Sequence, residues 1–158
     1  MRGLASGVVE LAELVGKVSA ARSAGKVVVL TNGVFDVLHI GHLRYLRQAR
    51  SEGDMLVVGV NADASVRALK PGRPLVPENE RAELVAALRP VDHAVIFAEQ
   101  TANELLRAIR PDVYVKGADY THASLPEAAT AREVGARLVF VALVPNRSST
   151  HLARALSC

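Results

Sequence analysis

The fold of this chain is decided by Val27-Val28-Val29-Leu30-Thr31-Asn32-Gly33-Val34-Phe35-Asp36-Val37-Leu38-His39-Ile40-Gly41-His42. Its first four residues are apolar and mostly β-branched, which predicts a strand buried on both faces. A turn-rich segment follows, and Leu43, Leu46 and Ala49 then recur at helical spacing. We therefore expect a strand, a tight loop and a helix, with two histidines where the helix begins.

The predicted helix start is suited to binding an anion. The first backbone N–H groups of a helix have no partner within the helix and lie at the positive end of its dipole. His39 and His42 add side-chain donors there, and Gly41 between them has no Cβ that would keep a ligand away. The expected ligand therefore carries phosphate. The first strand is not followed by G-x-G-x-x-G, so the loop is not of the dinucleotide-binding kind.

The rest of the chain alternates predicted strands with predicted helices. Further strands are expected at residues 55–61, 93–97, 112–116 and 137–144. Helices are expected from Val8 to Val18, from Pro77 onwards, after the capping boxes 101–104 and 124–127, and around Leu152 and Leu156. The apolar positions of the helix that begins at Pro77 are Leu84, Val85 and Leu88. Residues 64–77 are expected to form a loop. This alternation predicts an α/β fold with a parallel sheet and helices on both faces.

Polar clusters follow the predicted strands at their carboxyl ends. They are residues 32–42, 61–63, 116–120 and 146–150, and the basic loop 70–74 lies near them. Ligands of open parallel sheets bind beyond the carboxyl ends of the strands, near the point where the strand order reverses. We therefore expect these clusters to meet in one site.

Length and composition are typical of one α/β domain. The 158 residues are 50% hydrophobic but only 4% aromatic, so the core is expected to consist of Val, Leu and Ala. We expect a single domain over residues 1–158, with an N-terminal helix in residues 1–24 packed on it.

Charge and cysteine content exclude several classes of protein. The net charge of +3 is dispersed, and few aromatic residues are available for base stacking, so we expect no nucleic-acid partner. Charged residues interrupt the N-terminal apolar run, which argues against a signal peptide or membrane span. The single cysteine, Cys158, can form no internal disulfide, and a structural zinc site is not expected. These features favour a cytoplasmic protein.

The His39-Ile40-Gly41-His42 motif, following Phe35-Asp36 at a strand-to-helix turn, resembles that of the H-x-G-H nucleotidyltransferases. Within that superfamily, residues 69–74, 110–120 and 144–150 are similar to the D-glycero-β-D-manno-heptose 1-phosphate adenylyltransferase family. The resemblance covers residues 25–157 and implies a Rossmann-like, doubly wound sheet of about five parallel strands.

The resemblance also implies a reaction and its participants. The phosphate oxygen of the sugar 1-phosphate would attack the α-phosphorus of ATP, giving ADP-heptose for lipopolysaccharide core synthesis and releasing pyrophosphate. Because that oxygen is already anionic, no general base is required, and catalysis is expected from positioning and charge neutralisation. Mg²⁺ is expected through phosphate oxygens and water, without a protein metal site. We expect a separate heptose kinase in the pathway, and a homodimer is possible.

Residue roles follow from the same resemblance. His39 and His42 would donate to the triphosphate, and Lys70 would bridge donor and acceptor phosphates, while Asn61 and Asp63 would face the sugar. Nucleotide binding is expected from Asn32, Gly33, Phe35, Gly41, Lys116, Gly117, Asp119, Arg147, Ser148, Ser149 and Thr150. We expect Asp36 to tie its loop through backbone N–H groups, and Arg81 to be an ion-paired surface residue.

Three alternatives remain open at this point. A related transferase could use CTP, or could act on glycerol phosphate, ethanolamine phosphate, pantetheine phosphate or a flavin. A class I aminoacyl-tRNA synthetase shares the histidine motif, but the chain lacks the second, lysine-rich motif of those enzymes. A non-catalytic nucleotide-binding module is the alternative outside the enzymes.

Overall fold

The computed structural model describes residues 7–143, 145 and 148–156. Five parallel strands form one sheet in the order β3-β2-β1-β4-β5. The strands are β1 (Val28–Gly33), β2 (Met55–Asn61), β3 (His93–Phe97), β4 (Val113–Gly117) and β5 (Arg137–Val141). The chain builds outward from β1 to β3 and then returns to β4 on the other side of β1. The order therefore reverses between β1 and β4, as in Rossmann-like sheets, which confirms the predicted fold class.

Helices cover both faces of this sheet. They are α1 (Leu11–Ser23), α2 (Ile40–Arg50), α3 (Asp63–Leu69), α4 (Glu78–Ala86), α5 (Asn103–Ile109), α6 (Ala128–Glu133) and α7 (Ser149–Leu156). Buried residues of α1, α5 and α6 share one hydrophobic cluster, and those of α2 and α4 share the other. None of the helices in the described part of the chain has the length and apolar character needed to span a membrane.

Side chains of the central strands alternate between the two clusters. In β1, Val28 and Leu30 belong to the cluster under α1, whereas Val29 belongs to the cluster under α2. All three are fully buried. A strand covered on both faces has no polar side to present, which explains the continuous apolar run in the sequence.

The N-terminal segment packs on the domain, but its first residues are not helical. Val8 forms a parallel β-bridge with Ala94 of β3, so the prediction that the helix begins there is wrong. Helix α1 buries Leu14, Val18 and Ala21. Residues 1–6 of the predicted packed segment lie outside the described residues. Whether residues 1–158 are a single domain stays a prediction.

Both predicted capping boxes are wrong. Helix α5 has Ala102 at its N-cap, and the backbone N–H of Ala102 donates to Glu127 Oε1 at 3.0 Å. Glu127 is itself a residue of the second predicted box, and Ser124 instead forms a turn with Thr121. The N–H group of the N-cap residue of α5 is thus bound by a side chain that is distant in the sequence. Here a buried carboxylate 25 residues away supplies the acceptor.

Three element predictions also differ from the structure. The segment predicted as a loop over 64–77 begins with the short helix α3, which buries Ser65 and Val66. Helix α4 buries Arg81, Ala82 and Val85 rather than Leu84, whose side chain is exposed. Strand β5 ends at Val141, before the predicted end at residue 144. The periodicity of α4 was misleading because its buried face is built around a charged residue.

Aspartates bind neighbouring strands together at their amino ends. Each directly precedes one strand and accepts a hydrogen bond from an N–H group at the start of the adjacent strand. Asp54 accepts from the N–H of Val27 at 2.8 Å, and Asp112 accepts from Val28 at 2.8 Å. Asp92 accepts from the N–H of Leu56 at 2.7 Å. Ion pairs join this row to arginines, Arg22 to Asp112 at 3.9 Å and Arg50 to Asp92 at 3.4 Å. These carboxylates therefore satisfy strand N–H groups that have no ladder partner.

Candidate active site

A cavity of about 340 Å³ opens at the carboxyl edge of the sheet, over the point where the strand order reverses. It lies between the loop that joins β1 to α2, the loop after α3, and the segment that follows β4. Its lining consists of Asn32, Gly33, Val34, Phe35, Asp36, His39, Gly41, His42, Tyr45, Val66, Lys70, Arg73, Lys116, Gly117, Asp119, Tyr120, Leu143, Ser148 and Thr150. Three of the four polar clusters that were expected to meet contribute to this cavity, namely residues 32–42, 116–120 and 146–150, whereas residues 61–63 do not.

The two histidines cap the amino end of α2. His39 is the N-cap, and its Nδ1 accepts from the backbone N–H of Gly41 at 3.1 Å. The Nδ1 of His42 accepts from the backbone N–H of His39 at 3.2 Å. A nitrogen that accepts a hydrogen bond carries no proton, so each neutral ring bears its hydrogen on Nε2. The cap thus fixes the tautomer of both residues.

His42 is held neutral by its surroundings. Burial and the adjacent imidazole of His39 lower its pKa from 6.5 to about 4. The two ring centroids are 4.0 Å apart, which disfavours a second positive charge. At neutral pH His42 is therefore a hydrogen-bond donor through Nε2–H and not an imidazolium.

Phe35 packs beside this pair in an unusual backbone conformation. Its φ of 52° is in the left-handed region, and its ring centroid lies 5.4 Å from that of His42. A Cβ on Gly33 would lie 3.1 Å from the Phe35 ring, closer than most such contacts. Glycine at this position therefore leaves room for the ring. Positive φ in a bulky residue costs free energy and is typical of functional loops.

Asp36 fastens the basic loop to the loop that carries the histidines. Its carboxylate accepts from the N–H of Leu75 at 2.8 Å and from the N–H of Val76 at 3.0 Å, and it forms an ion pair with Arg73. Burial acts to raise the pKa of Asp36, but the hydrogen bonds from Val76, Leu75 and Arg73 outweigh it and lower the pKa. The predicted role of tying backbone N–H groups is confirmed.

The expectation that Arg81 is a surface residue is wrong. Its side chain is fully buried, and its guanidinium donates to the carbonyl of Val76 at 2.8 Å and to that of Val34 at 2.6 Å. It also pairs with Asp63 at 2.7 Å. One side chain thus joins the loop after β1, the basic loop and α3. Acidic residues near it in the sequence suggested a surface pair, but the groups it binds are 5 to 47 residues away.

Two lysines supply the cavity with positive charge that the protein does not neutralise. Within the described residues, neither Lys70 nor Lys116 has a carboxylate at ion-pair distance. Lys116 Nζ lies 3.4 Å from the carbonyl oxygen of Asn32 and 5.3 Å from the centre of the Tyr120 ring. Burial lowers the pKa of Lys116. Lys116 is half-buried, and the carboxylates of Glu127 and Asp119 act on it from beyond ion-pair distance. A bound anion would therefore stabilise its ammonium further.

The segment after β4 closes the opposite wall of the cavity. A Cβ on Gly117 would lie 2.6 Å from Asp119 Oδ1 and 3.0 Å from Leu143 Cδ2. A side chain at position 117 would therefore push the Asp119 carboxylate and the end of Leu143 away from the end of β4. Together they form a wall that is apolar on one side and acidic on the other.

Most of the predicted site residues lie together in this cavity. Those lining it are Asn32, Gly33, Phe35, His39, Gly41, His42, Lys70, Lys116, Gly117, Asp119, Ser148 and Thr150. Asn61 and Asp63 do not line it, because Asn61 is buried at the end of β2 and Asp63 faces Arg81. Arg147 lies outside the described residues, as does the side chain of Ser149. The roles of all these residues stay predictions.

Sequence reasoning missed several lining residues. Tyr45, Arg73, Val66, Tyr120 and Leu143 all contribute to the wall of the cavity. Tyr45 lies one helical turn beyond His42, and this spacing could have placed it on the same face of α2. Arg73 lies in the basic loop that was singled out for Lys70. Nothing in the local pattern indicated Val66 or Leu143.

The described residues contain no group of three or more His, Cys, Asp or Glu side chains arranged to hold a metal ion. Of the carboxylates in the cavity, Asp36 is already engaged by Arg73 and two backbone N–H groups. Asp119 is the other carboxylate in the lining. This donor set does not fit a metal held by the protein alone. It is compatible with Mg²⁺ that keeps its water and phosphate ligands.

Known proteins resemble both the sequence and the fold. The family model described as cytidylyltransferase-like matches residues 30–154. The bifunctional protein HldE of Syntrophotalea carbinolica is 48% identical over 132 residues, which are 83% of this chain and 27% of that protein. HldE of Methylobacillus flagellatus is 44% identical over 151 residues, covering 95% of this chain and 31% of that protein. The chain thus spans less than a third of the length of these relatives.

A solved structure agrees with the sequence comparisons. The crystal structure of a lipopolysaccharide core biosynthesis protein from Thermoplasma volcanium superposes with a TM-score of 0.64 at 32% identity. The match covers 76% of this chain and 98% of that protein. The family model covers most of the sheet and the whole histidine motif. On this basis, the chain belongs to the cytidylyltransferase-like family.

Proposed function

We propose that this protein transfers AMP from ATP to D-glycero-β-D-manno-heptose 1-phosphate, giving ADP-heptose and pyrophosphate. The observation that carries the proposal is the capped pair of histidines at the cavity. Their Nδ1 atoms are committed to backbone N–H groups, so His42 offers a fixed Nε2–H donor beside the positive end of α2. Such preorganised donors stabilise charge that develops on a reacting phosphate.

The reaction is a single displacement at the α-phosphorus of ATP. A phosphate oxygen of the sugar 1-phosphate forms a bond to that phosphorus, and the bond from it to the bridging oxygen of the β-phosphate breaks. Pyrophosphate leaves with the electron pair of that bond. The attacking oxygen is ionised at neutral pH, so the residues need to position and neutralise rather than remove a proton.

The lysines are assigned to the phosphates. Lys70 lies in the same loop as Leu75 and Val76, which Asp36 and Arg81 bind, and its ammonium is proposed to bridge donor and acceptor phosphates. Lys116 lies across the cavity, at the carboxyl end of β4. Two cations on opposite walls suit a reaction in which two anions must approach each other. Arg147, Ser148, Ser149 and Thr150, near the start of α7, are proposed to bind the β- and γ-phosphates.

Mg²⁺ is proposed to arrive with ATP, held by phosphate oxygens and water. When bound it would neutralise charge on the triphosphate. Asp36 and Asp119 are the carboxylates that line the cavity, and Asp36 is already paired with Arg73. One remaining carboxylate supports a Mg²⁺ ion held by the nucleotide rather than one held by the protein alone. The adenine is proposed to lie against Gly117 and Asp119. Contact of the sugar with Asn61 and Asp63 requires that the sugar extend beyond the residues that line the cavity.

The proposal that the acceptor is a heptose phosphate is supported by the similarity of this chain to the named relatives. The relatives are named bifunctional, and the structural neighbour is named for lipopolysaccharide core biosynthesis. We propose the same pathway here, with a kinase activity supplying the sugar 1-phosphate from a separate chain. The use of ATP favours a cytoplasmic reaction, and a homodimer is proposed on the resemblance alone.

Pyrophosphate release tests the proposal. The purified chain with Mg²⁺ receives ATP or CTP together with β-heptose 1-phosphate, glycerol 3-phosphate or pantetheine phosphate. We expect release with ATP and the heptose phosphate, abolished in His42→Ala. Release with another pair would contradict the substrate assignment and keep the reaction. ATP binding without release from any pair would contradict the enzymatic proposal and favour a nucleotide-binding module.

A further inference from the structure

Both oxygens of Asn32, at the end of β1, are engaged by side chains of β4. Tyr114 donates its hydroxyl to Asn32 Oδ1 at 2.5 Å. Lys116 lies two residues further along the same face of β4, and its Nζ is 3.4 Å from the main-chain oxygen of Asn32. These contacts bridge the two strands between which the sheet order reverses. The last polar residue of β1 is therefore oriented from the neighbouring strand.

The direction of the Tyr114 hydrogen bond is fixed by its surroundings. The side chain is fully buried in the cluster that contains Val28 and Leu30. In the described part of the chain, Asn32 is the one hydrogen-bond partner of the hydroxyl. Had the hydroxyl accepted from the Asn32 amide instead, its own hydrogen would be buried without an acceptor. Burial, reinforced by the charge of Glu127, also raises the pKa of Tyr114, so the hydroxyl keeps its proton.

The consequence for Asn32 is a fixed amide orientation. With Oδ1 directed at the hydroxyl in the core, Nδ2 is the side-chain atom left to face a ligand. Asn32 lines the cavity, and among the described residues Nδ2 has no hydrogen-bond partner. Two N–H donors thus remain for an anion. The opposite orientation would present lone pairs to a phosphate and repel it.

We infer that Tyr114 is a positioning residue that aims the amide nitrogen of Asn32 at the phosphates of the nucleotide. The inference rests on the proposed function, because it assigns a donor to the same phosphate site. Tyr114 itself touches no ligand, since its side chain has no exposed surface. Its effect on binding and catalysis must therefore pass through Asn32.

A double-mutant cycle tests this inference. The variants are Tyr114→Phe, Asn32→Ala and the two combined, and the readouts are ATP affinity by calorimetry and kcat/KM for ATP. Tyr114→Phe keeps the ring and removes the hydroxyl, so we expect both quantities to fall about tenfold, the size of one hydrogen bond to a charged group. The combined variant should match Asn32→Ala within about twofold, because no amide remains to be positioned.

Two further variants separate positioning from structural damage. Asn32→Asp keeps an acceptor for Tyr114 but removes the donors, so it should lose at least as much ATP affinity as Asn32→Ala. Ile109→Val removes a methyl group from the same hydrophobic cluster at a residue that does not line the cavity, and it should lower stability without changing ATP affinity. Unfolding midpoints of all variants show that each is folded at the assay temperature.

The possible outcomes are distinct. ATP affinity of Tyr114→Phe within twofold of the parent chain would overturn the inference, as would additive losses in the combined variant. If the parent chain binds ATP but releases no pyrophosphate with any acceptor, the proposed function fails, while the affinity cycle still decides the role of Tyr114. A parent chain that does not bind ATP would overturn both.

Discussion

The two edges of the sheet use charged residues in opposite ways. At the amino edge, Asp54, Asp92 and Asp112 accept from strand N–H groups, and Arg22 and Arg50 pair with two of them. Each carboxylate there has partners from the protein itself. These three carboxylates therefore serve the strands and the neighbouring arginines.

The carboxyl edge carries both paired charges and lysines that have no carboxylate partner among the described residues. Asp36 neutralises Arg73 and Asp63 neutralises Arg81, but Lys70 and Lys116 have no carboxylate partner among the described residues. The capping histidines add neutral donors at the amino end of α2. At the carboxyl edge, paired charges thus hold the loops in place, and the lysines without a carboxylate partner among the described residues line the cavity.

The largest effect is expected where a paired charge of the carboxyl edge is removed. Arg81→Met leaves the Asp63 carboxylate and the carbonyls of Val34 and Val76 without their donor. We expect the free energy of unfolding to fall by about 3–5 kcal/mol, because a buried ion pair loses one partner. Urea unfolding measures this loss. Arg107→Met, on an exposed arginine, is the matched control and should unfold close to the parent midpoint.

An equal loss in both arginine variants would contradict a structural role for the buried ion pair of Arg81. It would mean that the buried guanidinium contributes no more than an exposed one. The distinction between charges that build the loops and charges that serve a ligand would then have no basis in stability.

Removing a donor from the site should affect rate rather than stability. His42→Ala loses the Nε2–H donor, and we expect kcat to fall about 10²–10³-fold, equivalent to about 3–4 kcal/mol. The lost cap on α2 should cost only about 1 kcal/mol of stability. Steady-state pyrophosphate release and thermal unfolding together measure the two effects. A variant that is mainly unstable, with an unchanged kcat, would contradict the assignment.

At the amino edge, a substitution should lower stability and leave the rate unchanged. Asp112→Ala leaves the N–H of Val28 without its acceptor and removes the pair with Arg22. We expect a loss of about 1–2 kcal/mol in the free energy of unfolding. The kcat/KM for ATP should be unchanged, since the cavity lies at the other end of the strands. A tenfold fall in kcat/KM in this folded variant would show that the two edges are not independent.

A further effect is a dependence of stability on pH. The pKa of His42 is about 4 in the folded protein and ordinarily 6.5, so between these values the unfolded chain binds a proton that the folded chain does not. Stability should therefore fall as pH drops from 6.5 towards 4. Urea midpoints at pH 7 and pH 5 should differ more in the parent chain than in His42→Gln. Equal differences would mean that His42 titrates normally when folded.

Much of the fold could be predicted because its signals are local. The apolar run of β1, the spacing of Leu46 and Ala49, and the alternation of strands with helices all lie within short windows. The carboxyl-edge site followed from topology, since parallel strands bring their ends together. The histidine motif then indicated which end of which helix would bind phosphate.

The failures came from contacts between distant parts of the chain. Glu127 accepts from the N–H of Ala102 in place of a local side chain. Arg81 is buried because two loops and the first residue of α3 supply its acceptors. The sequence pattern around Tyr114 indicates only an apolar strand. Its hydroxyl has a hydrogen-bond acceptor because the fold places Asn32 of another strand beside it. A pattern within one segment cannot indicate a partner that lies 82 residues away in the sequence.

The most direct test of the account follows the phosphorus atoms of ATP. The chain is incubated with Mg²⁺ and heptose 1-phosphate, and with ATP labelled either at the α- or at the γ-phosphorus. We expect the α-label to appear in the nucleotide sugar and the γ-label in pyrophosphate. A γ-label found on the sugar, or released as free phosphate, would show phosphoryl transfer or hydrolysis and would contradict nucleotidyl transfer at this site.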